Sequence, residues 1–196
     1  DGPRAHEQEG RHRGRRQGRR AEAAAAEPEV LTLGEIDLAE AAALLARYDL
    51  RFELIDDDAA IPGSFWCDRE AGLIGSTVYA RRDTPVHSLL HEACHLIVIP
   101  PELRAGVHTD ASDSQLEEHA CCYLQLLLAD ELPGFGIERA LIDMDFWGYT
   151  FRLGSARAWF ERDAEDAVAF LQQLPHLRGR PGNPWPKRLA LPAPGL

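Results

Sequence analysis

No stretch of this 196-residue chain approaches the roughly 20 consecutive apolar residues needed to cross a bilayer. The N-terminus carries basic residues but no apolar run of the kind a secretory signal contains. A membrane-embedded or exported protein is therefore not expected. Cysteine is scarce too: there are four, Cys67, Cys94, Cys121 and Cys122. The last two are neighbours, which cannot both face one point on a helix, and no C-x-x-C pair exists. Neither a disulfide framework nor a cysteine zinc site is expected, and a reducing cytoplasm fits best. No internal repeat is evident.

Charge is abundant but uneven. The net charge is −11. The first twenty residues hold seven arginines against three acids, so the remainder carries about −15. Residues 1–30 read as a disordered basic arm, with Arg11 to Arg20 interleaved with Gly and Gln. The acidic body argues against nucleic acid as the main partner. A domain is expected over residues 31–175, followed by a proline-rich irregular tail at 176–196 in which Trp185 could dock on the body.

Coarse periodicity supplies the elements. Glu35–Arg47 reads as an amphipathic helix and Leu50–Ile55 as a strand. Ser64–Cys67 and Leu73–Tyr79 suggest a hairpin around Asp68–Gly72. Thr84-Pro85, a helix N-cap followed by proline, opens a mostly apolar helix that Pro100-Pro101 ends. Ser114–Leu128 reads as a second long helix. After a break at Pro133–Gly136, helices are expected over Ile137–Thr150, Ser155–Phe160 and Asp163–Leu174. The fold class is α+β, a small antiparallel sheet against a helical body.

The helix that follows Pro85 contains His91-Glu92-Ala93-Cys94-His95. Residues i and i+4 share a helix face, so both imidazoles can reach one ion. A catalytic zinc takes three protein ligands and leaves its fourth position to water. Glu92, beside the first histidine, lies close enough to take a proton from that water. This is the H-E-x-x-H pattern of zinc hydrolases.

A third ligand is then required. The metzincin arrangement needs Gly and His where this chain has Val98 and Pro101, and is excluded. The gluzincin arrangement takes a glutamate from the following helix. Leu116, Ala120, Tyr123, Leu124 and Leu127 mark that helix's apolar side. At about 100° per residue, Glu117 falls at its edge, between Leu124 and Leu128, while Glu118 falls with Gln125 and Ala129 on the wetter side. A carboxylate turned inward is costly unless paired or bound to metal, which favours Glu117. A helix starting two residues later would free the first turn to rotate, and Glu118 could then take over. His87 is a rival ligand one turn before His91. His108, Asp110 and Asp113 read as polar loop residues and His119 as a surface one.

These motifs resemble the gluzincin metallopeptidases, most closely the ImmA/IrrE-like family. There a strand precedes the H-E-x-x-H helix and a short connection leads to a helix reading E-x-x-A, as Glu117-Glu118-His119-Ala120 does here. The resemblance spans roughly residues 50–130. It departs at Cys94, where glycine is common, and at Cys121, where asparagine or aspartate is usual. It implies a zincin-like fold and a zinc-dependent metallopeptidase acting on a peptide or protein. His91, His95 and Glu117 would be the ligands and Glu92 the general base. Tyr79, Tyr123, His108 or Tyr149 could supply an oxyanion donor. If Leu73–Tyr79 is an exposed sheet edge, an extended peptide could add to it as a strand. A catalytically silent zinc-binding regulatory module is the alternative. A structural zinc site comes third, since such a site needs four protein ligands and no neighbouring base.

Overall fold

The computed structural model describes residues 30–65, 69–109, 114–178 and 180. The basic arm except Val30, together with Cys67, Asp110, Asp113 and nearly all of the proline-rich tail, Trp185 included, lies outside them. Six α-helices and a three-stranded sheet make up the described part, an α+β fold. Asp37 caps helix α1 (Leu38–Ala46) by accepting a hydrogen bond from the Ala39 amide at 2.8 Å. A separate 3₁₀ turn, Leu33–Glu35, precedes it, so the helix begins three residues later than the expected Glu35.

The sheet holds β1 (Arg51–Leu54), β2 (Gly72–Ile74) and β3 (Thr77–Ala80) in the order β1-β3-β2. Two expectations change here. Leu73–Tyr79 is not one strand but a hairpin. Gly75, at φ 60°, and Ser76 form a two-residue turn, placing glycine where such turns need a positive φ. The sheet is also mixed rather than antiparallel. β2 pairs antiparallel with β3, but β1 pairs parallel with it, because the chain crosses from β1 to the far side of β3 before returning.

Helix α2 (Val86–Val98) follows the sheet and is the most deeply buried helix, with Glu92 its one half-buried residue. Thr84 does not cap it. Its hydroxyl accepts from the Arg81 amide at 3.0 Å, while the Val86 amide bonds the Leu31 carbonyl at 2.9 Å. A 3₁₀ segment, Pro101–Gly106, follows the expected stop at Pro100-Pro101. Helix α3 (Gln115–Asp130) begins at the Ser114 N-cap and runs through the centre of the molecule. It packs on α2, on α4 (Gly136–Trp147) and on α6 (Glu165–Gln173). The short α5 (Ala156–Arg162) brings Trp159 and Phe160 against Tyr123 of α3. Buried Asp143 of α4 pairs with Arg139 at 2.6 Å and accepts from the Leu31 amide at 2.9 Å, which ties the N-terminal segment to the body. Among the described residues, no helix is long and apolar enough to cross a membrane.

Candidate metal centre

The two motif histidines project from α2 toward α3, as the i, i+4 spacing requires. Their Nε2 atoms stand 3.2 Å apart. The Glu118 carboxylate of α3 meets both, with Oε1 3.2 Å from His95 Nε2 and Oε2 3.4 Å from His91 Nε2. Taking one ligand atom from each residue, all three lie within 4.8 Å of one another. The set could hold a metal ion. Bonds of 2.0–2.1 Å from a tetrahedral zinc imply ligand-to-ligand edges of about 3.3 Å, which these contacts approach.

Glu118, not Glu117, occupies the third position. The helix starts at Gln115 as expected, so a rotated first turn is not the reason. The reason is that α3 is buried on two sides. Tyr123 faces α5, stacking on Phe160 with ring centroids 4.9 Å apart. Cys121, Cys122 and Gln125 are equally sealed, but against α2. The apolar stripe through Tyr123 therefore locates only one of two buried faces. Gln125, taken as a mark of the wet side, is 1% exposed.

A single polar column runs along the α2-facing side of α3, and each member attends a histidine. Gln125 Oε1 lies 2.7 Å from His91 Nδ1. A carboxamide oxygen only accepts, so Nδ1–H donates, and Nε2 is the nitrogen left facing the point of convergence. Cys121 Sγ sits 3.4 Å from His95 Nδ1, within hydrogen-bond reach of that ring, while Cys122 lies against His91. The spacing Glu118, Cys121/Cys122, Gln125 is the helical repeat in the sequence that would have identified this face.

Electrostatics follow from enclosure. Burial alone would raise the Glu118 carboxyl, but hydrogen bonds and charge from His91 and His95 outweigh it and hold the group far below the usual carboxylate range. Burial pushes the Glu92 carboxyl above its ordinary value, and the two histidines offset this only in part. Burial also raises the Cys94, Cys121 and Cys122 thiols, which keeps them protonated.

The remaining candidates separate cleanly. The His87 ring is enclosed by those of Trp147, at 5.2 Å, and Tyr149, at 5.7 Å, and does not join the converging set. His119 is half-buried, 3.8 Å from Asp166 and beside Trp159. Of the four possible oxyanion donors, Tyr149 packs its ring on a site histidine, 5.8 Å from His91. Gly148, at φ 99°, ends α4 in a left-handed turn whose following amide, that of Tyr149, bonds the Met144 carbonyl at 3.1 Å. That turn swings Tyr149 back over α2.

The sheet edge expected to accept a peptide is already taken. Ile74 of β2 pairs with His108, the Gly75 amide bonds the Val107 carbonyl at 2.9 Å, and the Thr109 amide bonds the Leu73 carbonyl at 3.1 Å. No family model, curated protein or solved structure matches the chain.

Proposed function

We propose that the protein is a zinc-dependent metallopeptidase in which His91, His95 and Glu118 hold the ion and Glu92 is the general base. The observation that carries this reading is the meeting of two imidazole nitrogens and a carboxylate at 3.2–3.4 Å, with a desolvated glutamate next in sequence to the first histidine. Two imidazoles and one carboxylate are a donor set that suits zinc, and three protein ligands leave a fourth position open. The resemblance of the motifs to gluzincin peptidases supplies the substrate class.

A zinc ion so held supplies a Lewis acid for the substrate carbonyl and lowers the pKa of a bound water to about 7. The chain's residues do the rest. Gln125 fixes the His91 ring through Nδ1, Cys121 lies within hydrogen-bond reach of His95 Nδ1, and both Nε2 atoms face one point. Glu92, with its pKa raised by burial, accepts the proton of the attacking water and returns it to the leaving amine. Tyr149, whose ring lies 5.8 Å from His91 and whose hydroxyl burial keeps protonated, would be the donor to the developing oxyanion. Glu118 is the most open of the three ligands, its side chain 39% exposed against 11% for His91 and 7% for His95. Substrate therefore approaches from the α3 side.

The test has two parts. Freshly purified, unchelated protein should hold about one zinc per chain and lose it to chelator. Glu92→Gln should keep the metal and the fold while lowering hydrolysis by about 10²–10⁴-fold, the usual contribution of a positioned base. Absence of metal removes the whole assignment. Metal with undiminished turnover in Glu92→Gln removes the role of Glu92. Metal with no hydrolysis of any protein or peptide leaves a zinc-binding regulatory module.

A further inference from the structure

The sheet has two edges, and they are treated differently. On the β2 side, the 107–109 segment takes up the outward backbone groups. β1 forms the other edge. The Arg51 amide bonds the Ser76 carbonyl and the Ile55 amide the Ala80 carbonyl, both at 2.9 Å, so Arg51, Glu53 and Ile55 address β3. Phe52 and Leu54, between them, turn their N–H and C=O groups outward, where no hydrogen bond meets them among the described residues. Arg51, Glu53 and Leu54 are exposed, Leu54 by 38%. A strand edge open in this way is a template for a further strand.

The side chains of β1 determine which strand fits. Alternation gives it two faces. Phe52 and Leu54 share the apolar face with Val78 and Ala80, their neighbours on β3, and Leu50 is buried just before them. Arg51 and Glu53 lie on the other face with Thr77, whose hydroxyl accepts from Arg51 Nε at 3.2 Å. Glu53 pairs with no cation among the described residues. Laid antiparallel on a second copy with the twofold axis at Phe52, this strand is its own complement. Each Phe52 amide then donates to the carbonyl of the partner's Phe52, and each Leu54 amide to the carbonyl of the partner's Leu50. Between those pairs, Arg51 stands directly opposite the partner's Glu53, at the closer spacing of a non-hydrogen-bonded pair, and symmetry repeats the match. Moving the axis to Glu53 sets two glutamates face to face, which is repulsive. Moving it to Leu54 sets Phe52 opposite the partner's Asp56. Charge therefore selects one register.

We propose that the protein forms a twofold dimer through the β1 edge, joining the two sheets into one continuous sheet. The partner is a second copy of this chain because one short strand supplies both the basic and the acidic half of every cross-strand pair, as a self-complementary interface requires. The seam is short, so the dissociation constant is expected between about 1 μM and 1 mM. The dimer requires neither metal nor turnover.

Sedimentation equilibrium of the full chain across that concentration range reads the constant, and circular dichroism checks that each variant is folded. Arg51→Glu and Glu53→Arg each make both charged pairs repulsive and should weaken dimerisation about tenfold or more. The double variant, and an equal mixture of the two single variants, should recover it, because every pair is then again of opposite charge. Leu54→Pro removes an outward amide that β3 does not use, a position at which an edge strand tolerates proline, and should weaken the dimer by a similar factor. If Leu54→Pro fails to fold, the charge reversals decide alone. A chain monomeric throughout the range would leave the edge to a strand of another protein and overturn the proposal. A dimer indifferent to the single reversals, or one that neither the double variant nor the mixture restores, would overturn it as well.

Discussion

Glu118 is held by opposing forces. Its carboxylate is withdrawn from water, which disfavours its charge, yet two imidazoles face it at 3.2–3.4 Å and more than compensate. Remove the carboxylate and the histidines lose their common partner; remove its neighbour Glu117 and their geometry is untouched. Glu118→Ala should therefore abolish stoichiometric zinc binding, and Glu117→Ala should retain it. The two variants are compared by metal analysis after identical purification, and equal retention would refute the assignment. Gln125 is expected to act through His91. Gln125→Leu keeps the volume but takes away the acceptor for Nδ1–H, so zinc affinity should fall by roughly 10–100-fold, as measured by competition with a chromogenic chelator. His91 and His95 were legible in sequence as a pair able to reach one ion, because their i, i+4 spacing carries a geometric meaning of its own. Glu118 was not, because the choice between adjacent residues rested on which face of α3 is wet, and the answer is that neither flank is.

Elements supply the rigidity on which those side chains depend. The segment before β2 is pinned where backbone meets backbone. A Cβ at Gly72 would sit 2.2 Å from the Pro62 carbonyl and 2.4 Å from the Ser64 amide, neither of which is the free end of a flexible side chain. The same segment reaches α2, since the Ala71 amide donates to Ser88 Oγ at 3.0 Å, one turn before the motif. Gly72→Ala should destabilise the fold by about 1–3 kcal/mol, the usual cost of forcing atoms into a filled space. Denaturant unfolding measures it, and a loss below about 0.5 kcal/mol would mean that the 61–64 turn moves freely. The hairpin escaped the sequence reading for a related reason. Leu73 to Tyr79 is a nearly continuous run of strand-forming residues, and only Gly75-Ser76 in its middle marks the turn. The parallel pairing of β1 was hidden as well, because strand order depends on a crossover that leaves no local pattern.

At the scale of the whole molecule, the centre joins two helices that already form the heart of the core. α2 contributes Leu89, Leu90, Leu96 and Ile97, and α3 contributes Leu124 and Leu126, all fully buried. The fold therefore does not need the ion in order to assemble, unlike a small zinc finger. The three side chains that could hold a metal ion are nonetheless brought together by folding, so on the proposed reading zinc should bind the folded chain in preference to the unfolded one and shift its stability by mass action. Free zinc at a hundred times its dissociation constant adds about 2.7 kcal/mol. For a chain of this size each 1 kcal/mol moves the melting temperature by about 2–4 °C, so saturation should raise it by roughly 5–11 °C. The shift should be present in the unaltered protein and in Glu92→Gln, and absent in Glu118→Ala and His95→Ala. Chelator should return the unaltered protein to a lower but still cooperative transition. Non-cooperative melting after chelation would mean that the ion is structural, and an equal rise in all four proteins would mean that zinc binds somewhere other than between α2 and α3.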